Sequence, residues 1–190
     1  LHPRVRRQRQ MCIRDRLRSR GVTVPILILG ASGEEAVEDL INFDITPSVF
    51  TYEFAKALSY EAERKEKVTK IHIKIDTGMS RIGFLAGENN EEIVDEIIKI
   101  SKLPYIEIEG IFSHFATSDE YDKSYTLLQY GRFMDVCSRL EEKGLNIPIK
   151  HICNSAGIMM YPEMHLDMVR PGVILYGMYP LSLIHISEPT

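Results

Sequence analysis

Residues able to do chemistry gather at the ends of short apolar runs in this chain. Lys74, Asp76 and Arg81 sit in IHIKIDTGMSRIGF (71–84), His114 in GIFSHFATSDE, Asn154 and Ser155 in HICNSAG, and Arg170 and Gly172 in DMVRPGVILYGMYP. In the first segment Ile71, Ile73 and Ile75 alternate with His72, Lys74 and Asp76, the period of a strand, before Thr77, Gly78 and Ser80 break it. A strand with lysine and aspartate on one face, followed by a glycine-bearing loop with an arginine, is typical of functional strand ends in α/β proteins. The small residues of Asn154-Ser155-Ala156-Gly157 and Arg170-Pro171-Gly172-Val173 let backbone N–H groups approach phosphate oxygens, and Ser155 adds a hydroxyl.

Each segment also has a plain structural alternative. The polar face at 72, 74 and 76 suits an edge strand in water, and Lys74 can pack its stem while its head reaches solvent. His114 on its own reads as a satisfied core histidine, Arg170 can pair with Asp167, and NSAG and RPG are ordinary turn sequences.

The elements that must position these residues follow a regular order. Strands are expected at Val24–Leu29, Thr46–Thr51, 71–76, Ile106–Phe115, Ile149–Cys153 and Met168–Leu175. Helices are expected at Ser32–Phe43, Tyr52–Lys67, Asn90–Lys102 and Asp122–Lys143, the last with Phe133, Val136, Cys137 and Leu140 as its stripe and Gly144 as its stop. This alternation implies parallel strands joined by crossovers, hence a doubly wound sheet or a closed barrel. No GxGxxG marks a first βα turn, which disfavours the first solution. The α/β fold class is therefore a partial (β/α)8 TIM-type barrel, about six of eight βα units in a segment shorter than the roughly 250 residues of a whole one.

Composition narrows the partners. With 44% hydrophobic and 26% charged residues the chain is globular. The formal charge of −4 hides an asymmetry, since residues 1–20 hold eight arginines and one aspartate, while 21–190 hold 15 basic and 26 acidic residues and carry −11. That excess argues against nucleic acid as a partner for the folded part. Cys12, Cys137 and Cys153 lack metal-ligand or redox spacing, so no metal site is expected and reduced thiols point to a cytoplasmic protein. No apolar run is long enough for a membrane span. VRRQRQMCIRDR, within the first 20 residues, and the terminal LSLIHISEPT resemble translated adapter read-through. On that basis 1–20 and 181–190 are non-native tails around a truncated barrel domain at 21–180.

The four ordered motifs, across about 160 residues, resemble the barrel domain of alanine racemase, a fold-type III pyridoxal-phosphate enzyme. The resemblance implies a (β/α)8 barrel holding pyridoxal 5'-phosphate, a following β domain, and a homodimer with shared sites. It implies interconversion of L-alanine and D-alanine through a pyridoxal-phosphate imine by two-base α-proton exchange, supplying D-alanine for peptidoglycan. By position, Arg81 is matched to the arginine that orients the substrate carboxylate and a catalytic tyrosine, with Met79 in the same substrate loop, and Lys74 to a carbamylated lysine whose negative charge would anchor that guanidinium. His114 is matched to the histidine beside the cofactor ring, and Arg170 to the arginine facing the pyridine nitrogen, where a group that keeps its proton weakens the electron sink. Asn154, Ser155, Gly172 and Val173 match the cofactor site around the phosphate.

The resemblance also implies a Schiff-base lysine and a catalytic tyrosine that no residue here supplies, so the chain alone is expected to be inactive. A pyridoxal-phosphate binding or homeostasis protein and an inactive barrel remnant are the alternatives. A partial barrel exposes ladder edges, and such edges associate. Poor solubility or non-native oligomers are accordingly expected on size-exclusion chromatography, and a sharp monomer peak with cooperative melting would contradict this.

Overall fold

The computed structural model describes residues 16–180, so most of the arginine-rich segment and all of 181–190 lie outside it. In chain order the elements are β1 (Ile26–Leu27), α1 (Val37–Asn42), β2 (Ile45–Thr46), β3 (Ser48–Val49), α2 (Tyr52–Arg64), β4 (Thr69–Asp76), β5 (Phe84–Leu85), α3 (Glu91–Ser101), β6 (Ile106–Phe112), α4 (Ser124–Glu142), β7 (Ile149–His151) and α5 (Ser155–Met160).

Every strand pairing among the described residues is parallel. β1 pairs with β2, and β3, β4, β6 and β7 lie side by side in chain order, with β5 attached to the end of β4. Staves that follow the chain without reversing direction around the sheet make the arc of a barrel; a doubly wound sheet would reverse its order. The expected stave at Thr46–Thr51 is interrupted at Pro47, which has no N–H to give the ladder. Its first half pairs with β1 and its second with β4.

Local chemistry sets the helices. Thr51 caps α2 by accepting the Phe54 N–H at 3.3 Å. Gly144, at φ 84°, takes the left-handed position that ends α4. The expected stripe Phe133, Val136, Cys137 and Leu140 is buried, as are Val94, Ile97 and Ile100 of α3. The first helix is shorter than expected, beginning with a 3-10 turn at Glu34–Ala36, and the first strand narrows to two residues behind Pro25.

One expectation is corrected and two of the plain alternatives are set aside. Residues 168–175 form no strand. The segment follows β7 only through Asp167 N–H to Lys150 O (3.1 Å) and Arg170 N–H to Cys153 O (3.0 Å), then folds into a 3-10 turn at Val173–Tyr176. Pro171 removes the next donor, and Gly172 takes an irregular backbone angle, so regular pairing stops there. Asn154-Ser155-Ala156-Gly157, an ordinary turn sequence on its own, opens α5, because Asn154 accepts the Gly157 N–H at 2.9 Å and caps the helix. The polar face of β4 is not solvated, since His72, Lys74 and Asp76 are 3%, 3% and 4% exposed, and Lys74 keeps its head inside.

Ile71, Ile73 and Ile75 face the helix layer and are fully buried. Truncating Ile73 to alanine should cost about 2–5 kcal/mol by leaving a cavity between sheet and helices. Gly83 sits at φ 131°, where a Cβ would come within 2.5 Å of the Asp76 amide nitrogen. Gly83→Ala should therefore destabilise by about 1–3 kcal/mol. Urea melts of both variants check these values.

Candidate functional site

Arg170 is the centre of the polar interior. Its Nη2 donates to Ser113 O at 2.7 Å and Ile152 O at 3.0 Å, and lies 3.3 Å from His114 Nδ1. Its Nη1 lies 2.5 Å from His151 Nδ1. Guanidinium nitrogens only donate, so His151 Nδ1 accepts; Nη2 has two hydrogens, taken by the two carbonyls, and its longer His114 contact can only share them. Arg170 Nε is buried and has no partner. Asp167, the anticipated counter-ion, instead accepts the Lys150 N–H at 2.8 Å. Among the described residues no carboxylate pairs with Arg170.

Burial without a counter-charge shifts the whole cluster. It lowers Arg170 to about 10, a group still protonated at neutral pH. Burial, then the positive charges of Arg170, Arg81 and Lys74, push His114 down to about 4. Burial, Arg170, His72 and Lys74 push His151 to about 2. Lys74 falls to about 8, chiefly by burial, with Arg170 and Arg81 adding to the fall and Asp76 opposing it. Its Nζ donates to Ile75 O at 2.7 Å and lies 5.2 Å from the Phe112 ring centre, the same distance as Arg170 Cζ.

The loop after β4 is organised by Asp76. Its carboxylate accepts the N–H groups of Gly78 (2.9 Å), Ser80 (3.0 Å) and Arg81 (2.9 Å). Burial alone would raise this carboxyl, but the three N–H groups and Lys74 outweigh it and hold it below its ordinary value. The Arg81 side chain points outward and is exposed. Gln129, fully buried on α4, ties this region together by donating to Thr77 Oγ1 and His114 O while accepting the Ala116 N–H at 2.8 Å.

A cavity of about 370 Å³ opens at the strand ends, lined by His114, Asn154, Ser155, Arg170, Gly172 and Val173, with Leu29 and Asp119 at its wall. The structure thus brings six of the sequence-derived residues together. Gly172 N–H donates to Ser155 Oγ at 2.8 Å, joining the two small-residue segments. Lys74 lies deeper, while Arg81 and Met79 stay in their loop and do not line this cavity. Sequence reasoning missed His72 and His151 as members of the cluster; their signal was a histidine at an inward position on each of two staves.

The sequence model of the family "Alanine racemase, N-terminal domain" matches residues 13–180. The chain belongs to this family. It is 50% identical over 169 residues to an alanine racemase of Clostridium tetani, covering 89% of this chain and 43% of that protein. Over the same length it is 49% identical to one from Methanococcus maripaludis. Among solved structures, alanine racemase of Clostridium difficile 630 in complex with cycloserine superposes with a TM-score of 0.87 at 45% identity, covering 90% of this chain and 46% of that one. The Bacillus anthracis alanine racemase with bound L-Ala-P gives 0.80 at 32% identity, covering 92% and 44%. The chain spans less than half the length of the curated relatives it matches.

Enzymes of this family depend on pyridoxal phosphate, and the residues present fit that group. Arg170 lines the cavity, and its buried Nε is a donor that no protein atom uses, which suits a neutral ring nitrogen. Ser155 Oγ accepts the Gly172 N–H and keeps its own O–H to give to a phosphate, and the cavity falls in the usual range for small-molecule sites.

His114 and His151 titrate below the ordinary value of about 6.5, so the unfolded chain takes up protons first as pH falls. Their contribution to stability is complete above pH ~6.5 and is lost on acidification, until pH ~4 for His114 and ~2 for His151. Each should contribute a slope of up to about 1.4 kcal/mol per pH unit in that window. Urea melts from pH 7.5 to 5 check this, and His114→Asn should flatten the slope.

Proposed function

We propose that this chain is the cofactor-holding barrel part of an alanine racemase. The parent acts in the cytoplasm as a homodimer, takes alanine as substrate, and supplies D-alanine for peptidoglycan. Neither nucleic acid nor a membrane enters the reading. The observation that carries it is the buried Arg170 guanidinium, surrounded by neutral acceptors with Nε left free. When bound, pyridoxal phosphate supplies the electron sink that acidifies the substrate α-proton.

The chain's own residues have separable tasks. Arg170 donates a hydrogen bond to the ring nitrogen and keeps its proton, which favours simple α-proton exchange over side reactions. His114, kept neutral by burial and then by the nearby positive charges of Arg170, Arg81 and Lys74, would form a wall beside the ring. Ser155, held by the Gly172 N–H, would give its hydroxyl proton to the phosphate, while Gly172, Asn154 and Val173 shape that end of the cavity. Arg81 orients the substrate carboxylate from a loop fixed by Asp76, with Met79 in the same loop.

Lys74 is the carbamylation site. A lysine lowered to about 8 has a neutral fraction whose Nζ bonds to the carbon of carbon dioxide and releases one proton to water, and the carbamate anion formed relieves the repulsion from Arg170 and Arg81. The two bases that exchange the α-proton belong to parts of the parent that this chain does not span.

The chain has nine tyrosines and no tryptophan, so tyrosine fluorescence can follow a titration with pyridoxal phosphate. Saturable quenching is expected, with Ser155→Ala and Arg170→Leu weakening it about tenfold or more, in line with lost charge-assisted hydrogen bonds. A folded chain that shows no saturable binding would remove the cofactor assignment. The full-length parent should convert L-alanine to D-alanine; absence of that conversion with cofactor bound would leave a binding protein.

A further inference from the structure

Arg170 is one end of a line of polar side chains that crosses the barrel interior. From His151, whose Nδ1 accepts from Arg170, the line continues through His151 Nε2 to His72 Nδ1 at 2.9 Å. His72 Nε2 faces Glu109 Oε2 at 3.6 Å, and Glu109 Oε1 accepts from Lys70 Nζ at 2.6 Å. His151 and His72 are 0% and 3% exposed. Glu109 lines a second cavity, of about 240 Å³, with Thr69, Lys70 and Glu107 at the opposite end of the strands. The line therefore runs from the candidate site to the far mouth of the barrel.

The backbone is adapted to seat His72. The β4–β6 register shifts between Ile71 and His72, which places His72 opposite Gly110. A Cβ at Gly110 would lie 2.4–2.7 Å from three atoms of the His72 ring, so only glycine leaves room for that imidazole. His151 is gripped as well, since its ring stacks on Phe112 with centres 4.7 Å apart and planes 3° from parallel. An irregular register and a glycine in the middle of a strand both weaken a sheet. Here both serve one buried histidine.

The line has a single direction. Arg170 cannot accept, so His151 Nδ1 is bare and its proton is on Nε2. That proton points at His72 Nδ1, which must then accept, leaving the His72 proton on Nε2 toward the Glu109 carboxylate. A charged imidazole at either place would set two N–H groups against each other. Facing His72 are Glu109, His151 and, further off, Arg170; facing His151 are Arg170, His72 and Lys74.

We propose that His151, His72 and Glu109 form a one-way relay, a hydrogen bond between the two imidazoles ending on the Glu109 carboxylate, that fixes both tautomers and so holds the Arg170 guanidinium at the cavity wall with its buried Nε left without a protein partner. His72 and Glu109 are positioning residues, acting on the site from the far end of the barrel. The relay rests on contacts within the chain, and the proposed function enters only one readout below.

The test uses the full chain labelled with [15N]histidine at pH 7, with two-bond 1H–15N correlations. Among six histidines, His72 and His151 are assigned by their loss in His72→Gln and His151→Gln. Both are expected to be neutral, with pyrrole-type Nε2 and pyridine-type Nδ1. A charged ring, or an Nδ1–H tautomer at either position, overturns the relay. The unmodified chain supplies the spectrum, each variant that folds assigns its own ring, and either ring alone is enough to overturn the relay.

Glu109→Leu removes the terminal acceptor, whereas Glu109→Gln keeps a carbonyl oxygen there. The leucine variant should perturb the His151 resonances and speed solvent exchange of the Arg170 Nε–H by threefold or more, and the glutamine variant should restore both. A leucine variant that changes only His72 would show local packing and defeat the proposal. Pyridoxal phosphate binding should weaken at least threefold in Glu109→Leu and recover in Glu109→Gln. If the unmodified chain binds none, the functional reading fails while the tautomer measurement still decides the relay.

Discussion

A buried guanidinium without a carboxylate is the constraint on which this interior depends. Arg170 is held by two carbonyls and two imidazole nitrogens, all neutral acceptors. Enclosing a charge this way is costly unless most of its N–H groups are satisfied. Ser113 O and Ile152 O come from the ends of the staves containing β6 and β7, so the arginine also joins those ends to the irregular segment after α5. Burial first, and then its charge, keep nearby histidines neutral and lower Lys74. One enclosed cation thus reinforces what burial does to several other groups.

β4 carries the other half of the arrangement. Its isoleucines pack outward against helices while His72, Lys74 and Asp76 point into the barrel, so both faces are buried by different chemistry. The inward polar residues are tolerable because each has partners: His72 meets His151, Lys74 meets the Ile75 carbonyl, and Asp76 collects three loop amides. A fully apolar barrel centre would pack more simply, but it could not hold charged groups in fixed protonation states at the strand ends.

Much of this was legible in the sequence, for identifiable reasons. The βα alternation, the amphipathic stripes of α3 and α4, the stop at Gly144 and the clustering of His114, Ser155, Arg170 and Gly172 all follow from local pattern. What failed to show was decided partly by single residues within a run and partly by distant contacts. A run such as MVRPGVIL has the composition of a strand, but Pro171 and Gly172 prevent regular pairing beside β7. NSAG looks like a turn until Asn154 is seen capping α5. The alternation at 71–76 was read with the correct period, yet period alone cannot say whether the polar side meets water or a barrel interior. His72 and His151 come together only because β4 and β7 flank β6 and a register shift turns one ring toward the other.

The loop from Thr77 to Arg81 divides order from freedom unevenly. Asp76 fixes its amides, Gly78 and Gly83 take backbone angles open mainly to glycine, and the Tyr125 hydroxyl donates to Gly78 O at 2.8 Å. The exposed guanidinium of Arg81 is the part left to search. A ligand that engages it need restrain only one flexible side chain, about 2 kcal/mol of rotamer entropy, since the main chain beneath it was immobilised when the barrel folded. Recognition here resembles a hand closing from a wrist that is already set.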